Sequence, residues 1–103
     1  MPVVKWKKPM EIRDNSFQRQ FEVRCGNHLV TVEYSMQERK IFLTRINKPE
    51  GFDDEAFIDE FLKVIVEQSA EKKFKIVPTF PRIASFFRKN PAYKDILPPG
   101  IKL

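Results

Sequence analysis

The chain holds one cysteine and one histidine among its 103 residues, so it can close no internal disulfide and gather no His/Cys cluster of the zinc-site kind. Nowhere does an apolar run approach the roughly 20 residues a membrane span requires. The opening stretch, MPVVKWKKPM, lacks an apolar core of signal-peptide length. Internal repeats and low-complexity segments are also missing. These absences set a cytoplasmic address without structural metal as the expectation. What remains is 42% hydrophobic and 32% charged, too apolar for a disordered chain, and long enough for one core but not two.

The formal charge of +5 is unevenly spread. Lys48 to Glu71 carries mainly acids: Glu50, Asp53, Asp54, Glu55, Asp59, Glu60, Glu67 and Glu71. From Lys72 onward bases dominate, with Lys73, Lys75, Arg82, Arg88, Lys89, Lys94 and Lys102. A basic end of this kind can meet phosphates, but a solvated face is its commoner meaning, so charge alone does not point to nucleic acid.

In FQRQFEVRCGNHLVTVEYS two extended runs flank Gly26-Asn27, and Val30, Val32 and Tyr34 alternate with Leu29, Thr31 and Glu33. That period is a strand's, and the pair reads as a β-hairpin. A third run, Lys40 to Ile46, extends the meander. The period then changes, with Phe57, Ile58, Phe61, Leu62 and Ile65 at helical spacing. This predicts a helix from about Asp53 to about Lys72, capped by Asp53 or Asp54. Phe74, Ile76 and Val77 form a short fourth strand, expected to lie parallel and near to Lys40–Ile46 in a β-α-β unit. Pro81 opens a second helix with Ile83, Phe86 and Phe87 on its apolar face, and Pro91 ends it. The expected class is α+β, a sheet in the order β-β-β-α-β-α with helices packed on it. The tail DILPPGIKL is expected to wrap the surface or fray.

The stretches DNSFQRQFEVRCGNHLVTVEYS, KIFLTRI, KIVPTFP and NPAY, in this order, resemble the small single-domain members of the GNAT N-acetyltransferase superfamily. The resemblance covers about Ile12 to Ile96 and rests on Asn15 to Phe21, Val77-Pro78, Pro81 and Tyr93. It divides the chain into a basic N-terminal tail (1–11), a GNAT-like domain (12–96) and a C-terminal tail (97–103). It implies a mixed sheet whose two central strands splay, with acetyl-CoA lying between them. The cofactor's pantetheine arm is then expected on Lys40–Ile46, including Arg45 and Ile46. Its pyrophosphate is expected on the backbone of Asp54, Glu55 and Ala56 at the helix start, where unpaired amides and the dipole attract anions. Asn90 is expected on the cofactor arm or, equally, as a helix stop.

The chain departs from the family pattern in two places. Where the family places glycines around phosphate, PEGFDDEAFIDEF offers Gly51 alone and then Asp53, Asp54 and Glu55. Each acid within about 6 to 8 Å of a pyrophosphate opposes it by about 2 kcal/mol before salt screening. The attracting dipole contributes only about 0.3 to 1 kcal/mol. Second, close relatives carry a cysteine two residues after Val-Pro, a position that is Phe80 here, which can pack or wall a pocket but has no nucleophile. Cys25 lies in the hairpin and is no substitute.

Direct attack by an amine needs only a base and a donor to the leaving thiolate. Glu33 and Tyr34 are candidates for these roles, although alternating strands produce such outward polar residues routinely. Tyr93 is a third candidate, with helix capping its blander role. His28 reads as an exposed turn residue. Arg82, Arg88 and Lys89 stand ready to hold phosphates in place of the missing glycine loop, and Trp6 among Lys5, Lys7 and Lys8 to stack on a base. Two functions follow: an acetyl-CoA-dependent N-acetyltransferase acting on an amine, weak or specialised, or a non-catalytic descendant that engages a protein partner, with Phe80 and Phe52 filling the former pocket. No membrane partner is expected.

Overall fold

The computed structural model describes residues 11–101. The remainder of the expected basic tail, with Trp6, Lys5, Lys7 and Lys8, lies outside the described residues, as does Lys102. Strands β1 (Arg13–Asn15), β2 (Gln20–Cys25), β3 (His28–Gln37) and β4 (Lys40–Asn47) form an antiparallel meander. Helix α1 (Glu55–Glu71) then returns the chain to β5 (Lys75–Pro78), which pairs parallel with β4. Helix α2 (Pro81–Lys89) and a 3₁₀ helix (Pro91–Ile96) follow. The five-stranded sheet runs β1-β2-β3-β4-β5 in sequence order.

Four strands precede α1 rather than the expected three. The extra one, β1, is too short to show a period in sequence, and Phe17, read as part of an extended run, sits 93% exposed in the turn between β1 and β2. That turn takes a left-handed residue at Arg19 (φ 58°), and Asn15 fixes it from both ends. The Asn15 Oδ1 accepts from the Gln18 amide at 3.1 Å, while its Nδ2 donates to Glu22 at 2.9 Å. At the next hairpin, Cys25 pairs with His28 across Gly26-Asn27, where only Gly26 adopts positive φ (62°). This is the pattern of a turn with glycine first.

All buried apolar side chains join one core. Phe21, Val23, Val30, Val32, Ile41, Leu43 and Ile76 rise from one face of the sheet. Ile58, Phe61, Leu62 and Ile65 of α1 and Ile83, Phe86 and Phe87 of α2 descend onto it. The opposite face carries Glu22, Glu33, Ser35 and Arg45 and, among the described residues, has no helix over it, which gives two layers. The tail is more ordered than expected. Ile96 enters the core, Leu97 packs against it, and the Asp95 carbonyl accepts from Lys75 Nζ at 2.7 Å.

Candidate functional site

Beyond the end of β5 the sheet has an open edge, and the sequence dictates where. Between Glu33/Arg45 and Tyr34/Leu43 the β3–β4 register slips by one, so Thr44 is an extra residue on β4. Such a bulge bends its strand and exchanges its faces. Ile46 thereby returns to the core side opposite Val32, and Arg45 and Asn47 turn to the bare face. At the same level β5 ends. Its ladder with β4 runs from Lys40/Lys75 to Leu43/Pro78, and the Thr79 amide and hydroxyl both donate to the Leu43 carbonyl at 3.1 Å. Phe80 and Pro81 then turn the chain into α2. Among the described residues, β4 from Thr44 to Asn47 therefore has no strand on its β5 side.

The N-termini of both helices meet at this opening. Asp54 caps α1, its Oδ1 accepting from the Phe57 amide at 3.0 Å. This leaves the amides of Glu55 and Ala56 without partners among the described residues. The first turn of α2 delivers Arg82, whose Nε donates to Glu55 and whose second terminal nitrogen donates to Asp59, each at 2.8 Å. Lys48 Nζ reaches Glu55 from the other side at 3.3 Å. The hydrogen bond from Arg82 holds the Glu55 carboxyl below its ordinary value of 4.5. Two of the three acids at the helix start are thus engaged, Asp54 by the backbone and Glu55 by Arg82, which also holds Asp59. Arg82 was expected to be ready for phosphate. It is instead a bridge between α2 and α1, while Arg88 and Lys89 are exposed.

The remaining candidates do not converge. Glu33 faces away from the helices, beside Arg45 at the bulge, and Asn47 Nδ2 donates to its carboxylate at 2.6 Å. Tyr34 points to the helical side, where its hydroxyl donates to Asp14 at 2.6 Å. Burial, together with the hydrogen bond to Asp14, pushes its phenol up to about 12. Tyr93 stacks on Phe86, ring centroids 6.0 Å apart, and burial next to Glu67 raises its phenol. Asn90 ends α2, its Nδ2 donating to the Phe86 carbonyl at 2.8 Å. Cys25 is half-buried at the hairpin, and His28 sets its exposed ring against the edge of Phe52 at 5.6 Å. Phe52 is buried between His28 and Phe57, and Phe80 packs half-buried on the core.

The Thr44 bulge and the Thr79 clamp on Leu43 escaped the reading of the sequence, yet a signal was present. In KIFLTRI the apolar residues Ile41, Leu43 and Ile46 break strict alternation by one position, the mark of an inserted residue. The ion bridge of Arg82 has no comparable signal, because it joins residues 23 and 27 positions apart. No protein-family model matches this chain, and no curated protein matches it.

Proposed function

We propose that the domain is a GNAT-like acetyl-CoA-dependent N-acetyltransferase of weak or specialised activity, acting on an amine. The observation that carries this reading is the end of β5 at Pro78, level with the bulge in the β3–β4 ladder, which leaves the far part of the β4 edge open beside two helix N-termini. An amide-bearing arm suits that edge, because extended ligands add to open strands through backbone hydrogen bonds. The backbone of Thr44 to Asn47, Arg45 and Ile46 included, holds the arm, and Phe80 walls its inner end. The start of α1 fits the diphosphate less well, since the Asp54 carboxylate already takes one amide of the first turn.

The cofactor supplies an acetyl group activated as a thioester. Glu33 is the candidate base standing closest in register to the opening. Glu33 would take the proton lost by the amine and return it to the departing thiolate, so that the acetylated amine and the free thiol leave. Lacking a cysteine at Phe80, the chain is suited to this single direct transfer rather than to an acyl-enzyme.

A second reading, a cofactor-free descendant with a protein partner, is favoured by the same Asp54 cap and by the Arg82 bridge. Calorimetric titration with acetyl-CoA separates the two. Asp54→Ser keeps a cap while removing charge, and Glu55→Gln removes a second negative charge. The transferase reading predicts weak binding by the parent and binding about tenfold tighter in the double variant. Absence of binding by both proteins contradicts it and leaves the second reading.

A further inference from the structure

A second polar constellation lies at the other end of α1, about 25 Å along the helix from Asp54. A cavity of about 100 Å³ opens there between the last turn of α1 and strands β1 to β4. Its apolar walls include Phe21, Ile41 and Phe74, with the exposed, adaptable Met36 at its side. Polar groups of opposite character also line it. Asp14 spends one carboxylate oxygen on the Tyr34 hydroxyl, and its other oxygen makes no hydrogen bond to a described residue. Lys72 uses its carbonyl to accept from Arg39, while its ammonium has no partner among the described residues. Ser69, 4% exposed, also lines the cavity, and its carbonyl accepts from the Phe74 amide.

An apolar cavity edged by a few unspent polar groups is the usual form of a small-molecule site. The volume admits roughly three waters, or one branched apolar side chain of about four carbons. Carboxylate and ammonium at the same cavity complement a ligand that carries both charges.

We propose that this cavity binds a small zwitterionic α-amino acid with an aliphatic side chain. The side chain enters between Phe21 and Ile41, the ammonium meets Asp14, and the carboxylate meets Lys72 and the Ser69 hydroxyl. This site is separate from the β4–β5 opening and does not depend on the transferase reading.

The test is a titration of the full chain with L-leucine, followed by amide chemical shifts, alongside 3-methylbutylamine and 4-methylpentanoate, which each lack one charge. Saturable shifts are expected at Asp14, Tyr34, Ser69, Lys72 and Phe74, with each singly charged analogue about tenfold weaker. Lys72→Met, an exposed change that leaves the fold intact, is expected to weaken leucine about tenfold and to leave the amine's affinity unchanged. Ser69→Leu, which fills the cavity, is expected to abolish the shifts. Equal affinity for all three compounds, or no saturable shift at these residues in the parent, overturns the proposal.

Discussion

Single residues in this chain hold positions that their chemistry does not favour, and their costs can be measured. Lys73 follows the cap of α1 in a left-handed conformation (φ 63°). Around it the Phe74 amide bonds to the Ser69 carbonyl and the Lys73 amide to that of Ala70. Glycine is the usual occupant of this helix-ending motif, because it carries no Cβ to clash. Lys73→Gly is therefore expected to raise stability by about 0.5 to 1 kcal/mol in urea unfolding, without change in slope. Tyr34 offers a second test. Burial and the hydrogen bond to Asp14 push its phenol up to about 12. A raised phenol stabilises the fold fully below the unfolded value near 10, and that contribution is lost as pH climbs through the folded value. Asp14→Asn is expected to bring the phenol back toward its ordinary value in an ultraviolet titration, with Tyr34→Phe identifying the transition. Neither position was legible in the sequence. Lys73 looks like any surface lysine, and the partner of Tyr34 lies on a three-residue strand that no periodicity reveals.

Between elements, the Arg82 bridge ties the first turns of α1 and α2 together. Its side chain is 24% exposed, its acids 54% and 42%, so solvent screens much of the attraction. Arg82→Met keeps the packing of the stem and is expected to cost about 0.5 to 1 kcal/mol. The pH dependence carries the sharper signature. Because Glu55 has its carboxyl lowered from 4.5, the bridge stabilises the fold above that pH and is lost as the carboxylate protonates below it. Acid unfolding of the parent should therefore show a limb below pH 4.5 that shrinks in Arg82→Met. At this scale the sequence was most informative. Apolar spacing located α1 within two residues of each end, and Asp54 proved to be its cap. The parallel pairing of β4 and β5 followed from handedness and connection length alone. What periodicity could not supply was the partner of Arg82, since an ion pair between distant residues depends on tertiary geometry.

At the scale of the whole fold, one layer of helices covers one face of the sheet and, among the described residues, leaves the other without a helix. The two events that open the sheet, a bulge on β4 and the proline-limited end of β5, fall at the same level. Pro78 and Pro81 announced the end of β5 in the sequence, but the opening itself required the register of three strands. Whether that opening holds a thioester cofactor is the central question, and amide chemical shifts during titration with acetyl-CoA address it residue by residue. The account predicts saturable shifts confined to Thr44 through Asn47, to Thr79 and Phe80, and to the first turn of α1. Saturation without movement of Thr44 to Asn47, or no saturation at all, contradicts it.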